Sequence, residues 1–286
     1  MRPTRPDRPV RLIPIILVAA FTAVGTASAQ TTAEIRDRYR VPVPDSIAVL
    51  LGGAARSQPG SSSGSPAAFG AGWGDFFVGA GFQARTRYSD DEDGSAVVGF
   101  GLGNARRLIG MEVALTSGST IRSGFFERTS VSFKVNRILP RSFGVAVGYE
   151  NAVTFGDGAD GGRSLYGVIS KVWDPSSWSP LLSTTTTLGV GGGRFLPEDE
   201  LARGDDGGAN IFASIGVQVF EPMSVIADWT GQDLTIAASI VPFRRLPLVI
   251  TPGVADLTGR AGDGARFIIG AGVGLHIKQM PGALFR

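Results

Sequence analysis

The chain has no cysteine and a single histidine, and only 18% of its residues are charged. Without cysteine it forms no disulfide and no thiolate metal site, so stability must come from backbone pairing and packing. Long apolar runs are also missing. Beyond position 30 no stretch reaches the roughly 18 apolar residues that a membrane-spanning helix needs. A surplus of positive charge is absent as well. The 27 basic and 25 acidic side chains give +2 overall, and residues 1–29 hold four Arg and Asp7, so 23 against 24 remain, a net of −1. A nucleic-acid footprint needs clustered Lys and Arg in excess, and none is left.

The first 29 residues read as a cleavable signal peptide. Arg2, Arg5, Arg8 and Arg11 form a basic start, Leu12 to Val24 an apolar run, and Ala27-Ser28-Ala29 a small-x-small cleavage site. Residues 30–70 have a different character. Thr32 to Arg40 could form a short helix, Val41-Pro-Val-Pro-Asp45 extends the chain, and Ser57 to Pro66 is rich in Gly, Ser and Pro. The expectation is a flexible periplasmic lead-in, or a plug.

What is present from position 71 onward is glycine and a strict period of two. Phe76, Val78, Ala80 and Phe82 alternate with Asp75, Gly79, Gly81 and Gln83; Ala96, Val98, Phe100 and Leu102 with Ser95, Gly99, Gly101 and Gly103. Met111, Val113 and Leu115 oppose Gly110 and Glu112. Val131, Phe133 and Val135 oppose Ser130, Ser132 and Lys134, and Val145, Val147 and Tyr149 oppose Gly144, Gly148 and Glu150. Further strands are predicted near 164–173, 181–191, 209–219, 223–230, 233–241, 246–254 and 266–277, with Pro247 and Pro252 interrupting the eleventh. The connections alternate between long Gly/Asp-rich loops and short turns carrying Pro or Arg. One parity is greasy and the other small and polar, the inverse of a soluble sheet. The fold expected is therefore all-β: a transmembrane antiparallel up-and-down barrel of about twelve strands spanning 71–286.

The stretch Arg266-Phe-Ile-Ile-Gly-Ala-Gly-Val-Gly-Leu-His-Ile277 resembles a phosphate loop only superficially. A dinucleotide fingerprint needs a different third glycine spacing, a helix behind it and an acid about 20 residues on. Glycine at alternate positions instead strips side chains from the inner face of a strand, where the wall curves tightly or must leave room for water. No cofactor is expected.

His276 could act as a general base, but neither a nucleophile nor an orienting acid pairs with it in sequence, Ser239 being its nearest serine. No catalytic set is assigned. Ser89-Asp-Asp-Glu-Asp-Gly94, Glu198-Asp-Glu200 and Asp205-Asp206 collect carboxylates without the spacing of a calcium loop, and read as solvated turns. The inward parity also carries Arg85, Arg87, Glu112, Arg128, Lys134 and Glu150. Such charges set selectivity in a water-filled bore, or pair and close a narrow one.

Trp229 to Leu234, Ser239-Ile-Val-Pro-Phe243, Leu246-Pro-Leu248 and Gly262-Asp-Gly-Ala-Arg-Phe267 resemble the C-terminal half of a family of uncharacterised bacterial outer-membrane β-barrel proteins. They are more distantly similar to the YjbH-type barrels associated with exopolysaccharide. The resemblance covers about the last 60 residues and implies an outer-membrane barrel, without catalytic residues. Such barrels generally end on an aromatic residue, whereas here Phe285 precedes Arg286. The functions expected are a passive channel for small polar solutes, or an accessory barrel in envelope or polysaccharide export; a lipid hydrolase hinges on His276. The partners expected are outer-membrane lipid, the barrel assembly machinery, small polar solutes, and a periplasmic partner for residues 30–70.

Overall fold

The computed structural model describes residues 59–87, 90–118, 120–121, 128–156, 162–173, 181–202, 208–243, 246–261 and 264–277. Residues 1–29, read above as a signal peptide, most of the 30–70 segment, and the Phe285-Arg286 terminus lie outside them.

Alternation produces strands because successive side chains in extended backbone point to opposite faces. The strands are β1 (Asp75–Gln83), β2 (Asp93–Gly103), β3 (Gly110–Ser117), β4 (Arg128–Leu139), β5 (Phe143–Gly156) and β6 (Ser164–Trp173), then β7 (Ser183–Gly191), β8 (Asn210–Phe220), β9 (Met223–Trp229), β10 (Leu234–Ile240), β11 (Leu248–Ala255) and β12 (Arg266–His276). Each pairs antiparallel with its sequence neighbour, and β1 pairs with β12 to close the barrel. Closure leaves no unpaired sheet edge. One short helix, α1 (Glu198–Ala202), lies in the long β7–β8 connection. Short turns gather at one end, including 140–142 and 221–222, and the longer loops at the other.

Pro252 is accommodated within β11, paired with Ile269 of β12. On its other side the β10 register reduces to Ile236↔Val254, Ala237↔Gly253 and Ile240↔Ile250, and Pro252 falls in the gap. A residue without an N–H belongs where the ladder is already broken.

The outer parity is predominantly apolar and open to the surroundings, with Arg137 and Lys171 as exceptions toward the short-turn end. Val78 is 52% exposed, Leu165 59% and Phe267 46%, and Phe100, Phe133, Leu188, Ile215, Val225 and Ile236 share that face. The inner parity departs from the expected Gly, Ser, Thr and Asn lining. Phe77, Val97, Tyr166, Phe212 and Ile226 also point inward and are buried. All but Ile226 belong to two apolar clusters inside the barrel. In one, Tyr166, Phe195 and Phe212 pack with Ala68, Ala146 and Val168; in the other, Phe77 packs with Ala71, Val97 and Ala114.

The glycines explain how the rings fit. Phe77 stands opposite Gly99, Tyr166 opposite Gly148, and Phe212 opposite Gly189 in neighbouring strands. A Cβ on any of those glycines would lie 2.2 Å from the facing ring. Each bare backbone position is thus a notch covered by an aromatic from the next strand, a cross-strand pairing that also pins register.

Candidate functional site: a hairpin held inside the barrel

Residues 59–71, which take in most of the Gly/Ser/Pro stretch 57–66, lie within the bore and not in solvent. Small residues with unblocked N–H groups suit this place, because buried backbone donors need partners and bulky side chains would not fit. The wall supplies those partners. The Gly60 N–H donates to Ser239 Oγ of β10 (2.7 Å). The N–H groups of Ser63, Gly64 and Ser65 converge on Asp228 Oδ2 of β9 at 2.7, 2.9 and 3.1 Å, and the Ser65 hydroxyl donates to Asp228 Oδ1. The Ala68 N–H donates to Ser170 Oγ of β6 (2.9 Å), and the Ala71 N–H to Glu112 Oε2 of β3 (2.8 Å). Lys134 Nζ of β4 returns a bond to the Phe69 carbonyl at 2.9 Å.

These contacts trace a re-entrant path. Ser239 is the penultimate residue of β10 at the short-turn end, whereas Asp228 is the penultimate residue of β9 at the long-loop end. Glu112 is back near the short-turn end, and the Trp73 N–H reaches the Gly103 carbonyl there (2.8 Å). The segment enters and leaves by one mouth, with Ser63-Gly64-Ser65 as its tip. The wall is recessed for it. A Cβ on Gly101 would lie 2.3 Å from the Ala71 backbone, and one on Gly216 2.6 Å from Ser61 Cα.

The long-loop end closes over the tip. Arg194, in the turn after β7, is 3% exposed. Its guanidinium pairs with Glu150, with Nη2 to Oε1 at 2.8 Å, and donates to the Gly64 carbonyl at 3.3 Å. Burial alone would lower the Arg194 pKa, but the Glu150 carboxylate outweighs it and holds the pKa above the ordinary value. Glu150 precedes Asn151, which has φ 52°, beside a register shift between β4 and β5. A bulge of this kind re-aims the adjoining side chain. Gln232 Nε2 donates to the Leu196 carbonyl (2.7 Å), fixing the same connection to the β9–β10 turn.

The six inward charges fall into separate groups. Glu112 and Lys134 are cross-strand neighbours, pair at 3.0 Å, and both bind the hairpin. Glu150 holds Arg194. Arg85 Nη2 donates to the Gly264 carbonyl at 2.7 Å, at the β11–β12 loop. Arg87 lies near the buried Asp233 carboxylate. Arg128 opens β4 at the long-loop end, paired in register with Gly156. Asp228, which receives the most hairpin donors, is legible as the lone carboxylate on the inner parity Ser224, Ile226, Asp228. Arg194 sits in a loop where no periodicity could mark it.

His276 Nδ1 lies 2.9 Å from the Gly74 carbonyl and 3.7 Å from Asp75 Oδ1, tying the last strand to the first. Ser239 bonds to Thr251, whose register partner is Gly270, six residues before His276 along β12. The two do not form a nucleophile–base pair. Among the described residues no group of three or more His, Cys, Asp or Glu side chains could hold a metal ion. Asp90, Asp91 and Glu92 are exposed.

Asp233 sits in the β9–β10 turn and is buried. Burial first, and then the adjacent Asp256 carboxylate, push its pKa up from 3.8 to about 7, against the Asp256 N–H, Arg266 and Arg87. The folded state therefore holds a proton that the unfolded chain releases in this window. The resulting stability is full below the ordinary carboxylate range and is lost as pH rises through 7. The midpoint of heat-modifiable gel mobility is expected to fall between pH 5 and pH 8, and Asp233→Asn to remove most of that fall. An unchanged slope in the variant would assign it to other groups.

No family model matches the chain, and no curated protein matches it.

Proposed function

We propose that this twelve-stranded barrel resides in the outer membrane and conducts small polar solutes, with the hairpin 59–71 as its internal stopper. The membrane reading is supported by the largely apolar outer face, since soluble monomers rarely expose apolar patches beyond a few hundred Å². A leader of the secretory type and the split between long loops and short turns agree with it. The observation that carries the channel reading is the manner in which the hairpin is held. Its tip bonds to polar side chains of the wall, its one large apolar side chain is Phe69, and it enters and leaves by the same mouth. Such a stopper withdraws without unthreading, leaving behind a bore with Asp228, Glu112, Lys134, Ser170 and Ser239 on its wall.

Planar-bilayer recording of the full chain beside a deletion of residues 31–68 tests this. Long closed periods are expected of the full chain and frequent conductance steps of the deletion. A deletion protein that keeps heat-modifiable mobility, and so is folded, yet gives no steps would end the channel reading. The accessory reading then remains, favoured by the placement of both hairpin ends at the short-turn mouth, where a periplasmic partner would stand.

A further inference from the structure

Lys171 belongs to the outer parity of β6, which it shares with Leu165, Ile169 and Trp173. A lysine at the midplane of a membrane wall is strongly disfavoured, whereas near the interface it is nearly free. Its position two residues before the end of β6, at the short-turn rim, is therefore the tolerable one. The structure treats it as more than tolerated. The ammonium lies 4.4 Å from the centroid of the Phe143 ring and 3.8 Å from that of Trp173. Trp173 is itself fixed, its Nε1–H donating to Thr186 Oγ1 at 2.9 Å. Two aromatic faces hold the charge at one depth on the lipid-facing wall.

A second cation shares that wall. Arg137 is exposed on the outer parity of β4, in register with Val145 of β5 and, through it, Ile169 of β6. Lys171 is two residues beyond Ile169, so the cations stand two strand spacings apart across the wall and two residues apart along it, about 12 Å, with Phe143 and Val145 of β5 on the diagonal between them. That gap is spanned by two long side chains converging on one phosphate. Arg141, in the turn that follows β4, is exposed and adopts φ 59° with Ser142 at φ 63°, where Asn-Gly is the usual choice.

From this geometry we infer that Arg137 and Lys171, over the Phe143–Trp173 aromatic floor, form a binding site for the headgroup of an anionic phospholipid in the leaflet at the short-turn end. The inference rests on the membrane reading above. The aromatic faces position the ammonium, the guanidinium supplies paired donors to phosphate oxygens, and the adjoining outer face receives the acyl chains.

The test begins with flotation of the full chain on phosphatidylcholine vesicles. Failure to insert overturns the membrane reading and takes this inference with it. For inserted protein, the midpoint of heat-modifiable mobility is followed in detergent micelles as phosphatidylglycerol is added, with phosphatidylcholine and inorganic phosphate as comparators. Phosphatidylglycerol alone is expected to raise the midpoint saturably. Each cation near a membrane surface contributes about fivefold in affinity, so Lys171→Gln and Arg137→Gln are each expected to shift half-saturation about fivefold, and Lys171→Arg to restore most of it. Arg137→Gln lies outside the aromatic pair and serves if the lysine variant misfolds. An equal response to inorganic phosphate, or to phosphatidylglycerol in both Gln variants and the wild type, would overturn the site while leaving the membrane reading standing.

Discussion

Asp228→Ala is expected to convert a barrel that is closed most of the time into one that is open most of the time. The carboxylate is fully buried and accepts the N–H groups of Ser63, Gly64 and Ser65 together with the Ser65 hydroxyl. Bonds to a charged acceptor are worth about 1.5–3 kcal/mol each, and donors left buried without a partner cost about 1–3 kcal/mol more. Removing one side chain therefore weakens the tip by several kcal/mol, and about 3 kcal/mol already shifts the hairpin equilibrium more than a hundredfold. Asp228→Asn, which keeps one acceptor oxygen, is expected to fall between. Open probability in planar bilayers reports the change. A second readout uses the lack of native cysteine: the thiol introduced by Ser63→Cys labels slowly in the parent protein and quickly beside Asp228→Ala. If the alanine variant is folded, stays silent and keeps that thiol protected, the hairpin is a permanent part of the core.

The same residue illustrates what the sequence makes legible. Parity alone places Ser224, Ile226 and Asp228 inward and predicts the outer face, because a period of two is a local property; the up-and-down order is expected from the count of strands and the alternation of long and short connections. Depth inside the bore is not local. Nothing in Gly60-Ser-Ser-Ser-Gly-Ser-Pro66 distinguishes a solvated linker from a hairpin whose amides are bonded to side chains 163–179 residues away. The pairing of Glu112 with Lys134 follows from register and could be foreseen. That of Glu150 with Arg194 could not, since it depends on a bulge and on a loop that turns inward. Phe77, Tyr166 and Phe212 were legible only in combination with the glycines they cover.

That combination yields the second large effect. Gly189→Ala is expected to lower the midpoint of heat-modifiable mobility sharply, although the substitution adds one methyl group. The new Cβ would stand 2.2 Å from the Phe212 ring, which is fully buried against Phe195 (centroids 4.6 Å apart) and Tyr166 (6.0 Å). Phe212 cannot yield without moving the cluster. Overpacking of this kind costs about 1–3 kcal/mol, or a fall of about 2–12 °C for a chain of this size. Gly270→Ala is the contrasting case. A Cβ there meets nothing within 4 Å and the backbone is not left-handed, so the substitution is expected to leave the midpoint unchanged or raise it slightly, through a less flexible unfolded chain. The mechanism predicts a coupling as well. In a Phe212→Ala background the ring is gone, the notch has no occupant, and Gly189→Ala should cost almost nothing further. Equal penalties with and without the ring would mean that the alternating glycines serve backbone curvature rather than cross-strand packing. The glycines of β12 and those of β7 would then tolerate alanine alike.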